Sequence, residues 1–205
     1  DPEMLAANAA KVVELGAPAI DLNFGCPAKT VNRHRGGSVL LDEPEVVHQL
    51  VKAVRDAIPS HIPVSAKMRL GYMDRNFTLE NAHAIEDAGA AWVTVHARTK
   101  ADGYTPPAFW DQLQPIREAL KINVIANGEI WSNADAKACL QQSQCQDLMI
   151  GRGAVTTPDL SLCIRQNNDA TVLSWQDLIE LQQRFLTGQY KTEIGMIGRY
   201  KQWLG

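Results

Sequence analysis

Five short apolar runs, each followed by a longer segment of helical pattern, set the tightest limit on how this chain folds. The runs Ala19–Asn23, Pro63–Met68, Trp92–His96, Asn123–Ala126 and Leu148–Ile150 begin 44, 29, 31 and 25 residues apart. Antiparallel neighbours can be joined by a two-residue turn, whereas parallel neighbours need a crossover of about a dozen residues or more. The spacing therefore predicts consecutive βα units in a parallel sheet. AIDLNF, VTVHA, NVIAN and DLMIG are apolar through their centres, the pattern expected of strands buried on both faces.

Helix punctuation agrees with that rhythm. Asp42 is expected to cap a helix over Glu43–Ala57, with Glu45 three residues on and Pro44 in the first turn. Thr78 is expected to cap a helix ending at Gly89, and Ser132 with Asp135 a helix to about Gln142. Residues 167–172 (NNDATV) read as a linker. Beyond them, Ser174 and Asp177 are expected to cap a helix over Trp175–Thr187, stopped by Gly188, in a region carrying Arg184, Lys191, Arg199 and Lys201. The expected fold is α/β: a partial TIM (β/α)8 barrel of about five parallel βα units over 1–168, then the start of an all-helical domain over 174–205. Five strands fall short of the usual eight. The sequence also opens inside the amphipathic pattern DPEMLAANAAKVVELG, so a fragment of a longer barrel is expected.

Composition serves mainly to exclude. With 45% hydrophobic and 21% charged residues and a net charge of −3, the chain is not of a disordered class. No run approaches the ~20 apolar residues that span a bilayer, and no membrane partner is expected. The balance of 20 basic against 23 acidic residues provides no bulk attraction for nucleic acid but leaves room for a local patch. Cys139 and Cys145 lie six apart with no CxxC and no nearby histidine, so neither a zinc site nor any other metal is expected. Cys139, Cys145 and Cys163 read as inert reduced thiols, which suits a cytoplasmic location.

The polar residues gather at one place in each unit. The first strand ends in DLNFGCP (Asn23, Cys26), the second in KMRLG (Lys67, Arg69) and the third in VHARTKADGY (His96, Arg98, Tyr104). The fourth ends in NGEI (Asn127, Gly128, Glu129) and the fifth in GRG (Gly151, Arg152). Carboxyl ends of parallel strands form the ligand face in such folds. Gly128, Gly151 and Gly153 allow close backbone approach, and Arg152 can fork onto phosphate oxygens, so the last two ends suggest a phosphate. Lys67 and Arg69, two residues apart, share a strand face and call for an anionic or electron-rich ligand. His96 is suited to donating a hydrogen bond to a ring or phosphate.

Cys26 lies on a segment continuing through Lys29, Arg33, His34 and Arg35, with no acidic residue from 22 to 41. An exposed thiol in electropositive surroundings is reactive, as nucleophile or general acid. No protease-like Asn/His dyad accompanies it, which disfavours acyl transfer. The same basic stretch is the best local candidate for a nucleic-acid backbone contact.

DLNFGCPAKTVNRHRGGSVLL, KMRLG, VHARTKADGY, ANGEIW and MIGRGA, in that order, resemble the tRNA-dihydrouridine synthases. NGEIW and the terminal RYKQWL look like the bacterial C-type branch. The resemblance runs over essentially the whole chain. It implies an eight-stranded barrel with a helical tRNA-binding domain. It further implies FMN reduced by NADPH, and reduction of the C5–C6 bond of a D-loop uridine, at position 16 in this branch. By the same resemblance, Cys26 is the acid that protonates C5 while hydride passes from flavin N5 to C6. Asn23, Arg69 and Tyr104 contact the uracil, while Arg98, Lys29 and Arg35 belong to the substrate side. Lys67 and His96 hold the isoalloxazine and phosphate region, and Asn127, Gly128, Glu129, Gly151 and Arg152 the ribityl and phosphate. The family's first three strands and most of its helical domain have no counterpart here. The chain alone is therefore expected to expose two sheet edges and to hold FMN weakly. Rival readings are a flavin-barrel reductase of a free pyrimidine or small molecule and an inactive tRNA-binding or assembly fragment. A redox-free phosphate-binding isomerase ranks last, since it leaves Cys26 unexplained.

Overall fold

The computed structural model describes residues 1–169 and 173–189. Its five strands are β1 (Ile20–Asn23), β2 (Val64–Arg69), β3 (Trp92–His96), β4 (Asn123–Asn127) and β5 (Asp147–Met149). They form one sheet in the order β1-β2-β3-β4-β5, every neighbouring pair parallel. Each strand is added on the same side of its predecessor. Since βαβ crossovers are right-handed, the connecting helices then fall on one face of the sheet. A doubly wound sheet would reverse its strand order partway. The arrangement is an arc of a singly wound barrel, as the spacing predicts, with strand ends within one residue of expectation.

The helix-covered face of the sheet is apolar. Val64, Ala66, Met68, Val93, Val95, Val124 and Ala126 are all 0% exposed. The helices concerned are α1 (Pro2–Glu14), α3 (Pro44–Ala57), α4 (Thr78–Asp87) and α5 (Gln114–Ala119). They bury Val47, Val51 and Val54 of α3, Ile85 of α4 and Ile116 of α5. A five-residue helix, α2 (Lys29–Arg33), precedes a 3-10 turn over Gly37–Asp42. The opposite face meets the expectation of two-sided burial in β3 and departs from it in β1. In β1 burial alternates, with Ile20 and Leu22 buried and Asp21 and Asn23 exposed. Polar side chains of neighbouring strands pair across this face: the Ser65 hydroxyl donates to Asp21 Oδ1 at 2.6 Å, and Asn123 Nδ2 to Asp147 Oδ2 at 2.7 Å.

Two expected caps are corrected. Glu43, not Asp42, occupies the N-cap of α3, and its side chain makes no capping bond, because Asp42 closes the 3-10 turn before it. Thr78 begins α4 instead of capping it; its hydroxyl donates to the carbonyls of Leu70 and Arg75. The other two caps form as expected. The Ser132 hydroxyl accepts from Asp135 N at 3.1 Å at the start of α6 (Asn133–Ser143), and the Ser174 hydroxyl from Asp177 N at 3.2 Å.

The chain divides into two compact units. Asp1–Glu129 with Ala138–Met149 form the first, which contains the sheet, and Ile130–Lys137 with Ile150–Gly205 the second. The second unit holds α7 (Arg152–Thr156), α8 (Leu160–Gln166) and α9 (Trp175–Gln189). Asn167 ends α8 in the left-handed conformation at φ 53°. Helix α9 runs on through Gly188, where a stop was expected; a lone glycine weakens a helix by about 1 kcal/mol without ending it. Lys191 and the RYKQWL stretch with Arg199 and Lys201 lie outside the described residues, as do 170–172 of the expected linker. No helix among the described residues is long and apolar enough to cross a membrane.

Ile85 is fully buried on α4 beneath β3. Truncating such a side chain removes its transfer energy and leaves a cavity. Ile85→Ala is expected to lower the unfolding free energy by about 2–5 kcal/mol, read from the urea midpoint at unchanged slope.

Candidate functional site

Parallel register lines the polar residues up in rows. One row runs Asn23, Lys67, Thr94, Ile125 and Asp147; two residues further along, a second runs Arg69, His96, Asn127 and Met149. Residues two apart on a strand share a face, so both rows belong to the face opposite the helices.

The Lys67 ammonium makes no hydrogen bond or ion pair among the described residues. Burial pushes its pKa down, Arg69 adds to that, and the Asp21 carboxylate opposes it. Its register neighbour Thr94 is 0% exposed, and the Thr94 hydroxyl has no partner among the described residues. A half-buried ammonium beside an orphaned hydroxyl is costly unless something else completes it. Sequence reading missed Thr94; the signal available was one hydroxyl amid the apolar VTVH run.

Arg69 is 2% exposed and binds backbone. Its Nε donates to Gly25 O at 2.9 Å, and one Nη to Thr99 O at 2.9 Å and Gly103 O at 3.1 Å. The guanidinium also lies 5.2 Å from the centre of the Tyr104 ring. Burial lowers its pKa, and Tyr104 works against that shift. Tyr104 itself is exposed, with its ring 6.1 Å from that of His96.

The segment bearing Cys26 is firmly held. Asn23 Oδ1 accepts from Gly25 N at 2.8 Å. The Cys26 carbonyl accepts from Asn32 Nδ2 at 3.0 Å, the Ser38 hydroxyl at 2.9 Å and Ser38 N at 3.0 Å. Gly37, at φ 67°, lies so close that a Cβ there would stand 2.7 Å from the same carbonyl. Asn32, Gly37 and Ser38 escaped sequence reading, because only folding brings them under Cys26. The thiol is half-buried, more sheltered than expected, whereas Cys139, Cys145 and Cys163 are buried. Burial pushes the Cys139 thiol up to about 12, which keeps it protonated.

The expected basic loop is instead a short helix followed by a turn. Lys29 and Arg33, one turn apart on α2, are exposed. Arg35 is not a free cation: Glu43 accepts from its Nη2 through both carboxylate oxygens, at 2.7 and 2.8 Å. Glu43 lies just beyond the acid-free stretch, so the local sequence concealed the pair.

At the end of β4, Asn127 Nδ2 donates to Met149 O at 2.7 Å and Trp110 Nε1 to Gly128 O at 2.8 Å. Gly128 takes φ 122°, and a Cβ there would meet His96 Cδ2 at 2.8 Å. Glu129, also left-handed at φ 56°, pairs with Arg98, which is fully buried. Thus Asn23, Cys26, Lys67, Arg69, His96, Arg98, Tyr104, Asn127, Gly128 and Glu129 belong to the first unit, at carboxyl strand ends. Gly151 and Arg152 belong to the second, where Arg152 lies over the Trp131 ring at 5.0 Å. No cluster of three or more metal-ligating side chains is found among the described residues.

A family model described as Dihydrouridine synthase (Dus) matches residues 1–195. A tRNA-dihydrouridine(16) synthase of Shewanella oneidensis is 47% identical over 99% of this chain and 64% of its own length. One of Pseudomonas putida is 49% identical over 100% of this chain and 65% of its own length. The chain thus spans just under two thirds of these relatives. A 2-naphthoyl-CoA reductase solved with 2-naphthoyl-CoA superposes with a TM-score of 0.63 at 12% identity, over 80% of this chain and 28% of that one. That likeness is of fold.

Two measurements probe the site directly. Because its folded pKa lies below the ordinary 10.5, Lys67 makes the unfolded chain bind more protons between those two values. Its contribution to stability therefore rises with pH across that interval. Lys67→Met is expected to remove that slope and to raise the thermal midpoint of the ligand-free protein, by ~2–4 °C for each kcal/mol gained. Gly37→Ala, which combines a left-handed backbone with a clash at Cys26, is expected to destabilise by at least about 1–2 kcal/mol in urea.

Proposed function

The chain belongs to the dihydrouridine synthase family, and on that premise we propose that it forms the cofactor and base-binding wall of an enzyme reducing a uridine of tRNA to 5,6-dihydrouridine. The relatives' names point to position 16. The observation that carries the reading is a Lys67 ammonium with no hydrogen bond or ion pair among the described residues, whose register neighbour Thr94 has an orphaned hydroxyl on the same face.

These residues suit FMN. Lys67 and His96 offer donors to an electron-rich ring, and Thr94 a hydroxyl in need of a partner. Gly128 lets the backbone pack against the His96 ring, which a Cβ there would meet at 2.8 Å. Asn127 and Glu129 suit the ribityl chain. When bound, FMN supplies a hydride for C6 of the uracil, with NADPH as its reductant.

The remaining work falls to the protein. Cys26 donates a proton from Sγ to C5, and the Asn32, Gly37 and Ser38 buttress holds the backbone that carries it. Gly25 N occupies the Asn23 side-chain carbonyl, so the Asn23 amide donors are what that residue can offer a uracil carbonyl. Tyr104 presents an aromatic face, and Arg69 holds the segments on either side of it. The base must leave its stack to reach this wall. Lys29 and Arg33 suit the flanking phosphates better than Arg35, which Glu43 occupies. The buried reduced thiols fit a cytoplasmic enzyme.

Visible absorbance of the purified protein with FMN tests the reading: flavin bands should co-elute and bleach with NADPH. Cys26→Ala is expected to keep those bands while tRNA uridine reduction falls by ~10²-fold or more. Undiminished turnover in that variant would remove Cys26 from the chemistry. Faster reduction of free pyrimidines than of tRNA would favour a small-molecule reductase.

A further inference from the structure

The turn after β4 places two successive residues, Gly128 and Glu129, in left-handed conformations at φ 122° and 56°. For a residue with a side chain that conformation costs about 1–2 kcal/mol, so Glu129 needs support from outside the turn. Arg98 provides it from just beyond β3. Its Nη2 pairs with Glu129 Oε2, and its Nε donates to Pro107 O at 3.2 Å. Trp110 meanwhile anchors the Gly128 carbonyl.

Arg98 is 0% exposed, so a contact with tRNA would require it to leave its buried place, although its Nη1 has no hydrogen-bond partner among the described residues. Glu129 keeps 14% of its side chain exposed. Of the pair, only Glu129 keeps side-chain surface beyond the protein. Removing the cation would strand a largely buried carboxylate, which responds by turning towards water or taking up a proton.

We propose that Arg98 is a positioning residue that acts through Glu129, holding its carboxylate ionised and aimed at the hydroxyl-bearing chain of the bound cofactor. This assignment replaces a substrate contact for Arg98 and rests on the flavin reading above. A polyol hydroxyl donates best to an ionised carboxylate, so both the aim and the charge matter. Lysine can keep the charge but not the two-branched geometry, and it should restore binding in part.

The test is FMN affinity of the cofactor-free protein, followed by quenching of flavin fluorescence, with far-UV circular dichroism confirming the fold. Arg98→Met is expected to weaken FMN at least tenfold, and Arg98→Lys to recover threefold or more of that loss. In a Glu129→Gln background, lysine and methionine at 98 should bind FMN equally within twofold. A purely structural role would give the same lysine recovery in both backgrounds, which overturns the proposal, as does no recovery in either. Should Arg98→Met fail to fold, Arg98→Lys, Glu129→Gln and their combination decide. A double variant no weaker than the weaker single supports the coupling, and multiplied losses overturn it. Wild-type protein that never quenches FMN brings down the flavin reading and this assignment together. Wild-type binding matched by all variants brings down this assignment alone.

Discussion

The buried guanidinium of Arg69 is the constraint from which the rest of the site follows. It stands at the end of β2, between β1 and β3, and binds Gly25 on one side and Thr99 and Gly103 on the other. A cation taken out of water must have its donors satisfied, and here backbone carbonyls of two separate segments satisfy them. The segment bearing Cys26 and the segment bearing Tyr104 are thereby tied to one side chain. Cys26 is then fixed a second time through its own carbonyl by Asn32 and Ser38. The backbone that carries the thiol is thereby held on both sides, at Gly25 and at Cys26 itself.

The sheet divides stability and function between its faces. The face beneath the helices is filled by valine, alanine and methionine with no exposed area, and its burial supplies the driving force for folding. The other face carries Asp21, Ser65, Lys67, Thr94 and Asn127, residues that a core would avoid. Lys67, with its depressed pKa, and Thr94, with its unmatched hydroxyl, mark places where the fold accepts a cost that a ligand can offset. Arg98 and Glu129 show the complementary solution, a charge pair formed within the protein, although Arg98 Nη1 is left without a partner among the described residues.

Local signals were reliable where the physics is local. The βα spacing, the Ser132–Asp135 and Ser174–Asp177 caps and the clustering of polar residues after each apolar run all act within a few residues or one crossover. Signals failed where a nearer competitor won. Asp42 and Thr78 have capping side chains, yet the 3-10 turn claimed the first and the Leu70 and Arg75 carbonyls the second. Apolar runs suggested strands buried on both faces, which holds for β3 but not for β1, where burial alternates.

By itself the sequence determined the parallel order, the positions of the strands to within a residue, and which short segments bear polar groups. Period, spacing and turn chemistry are written in consecutive residues. Only the tertiary structure decided which of those polar groups are engaged by the protein and which are not. Arg35 meets Glu43, Arg98 meets Glu129, and Arg69 meets three carbonyls, while Lys67 and Thr94 meet no partner among the described residues. Each pairing joins residues from 8 to 44 positions apart. A charge is satisfied by what stands a few ångströms away, and that distance exists only once the sheet has set its register.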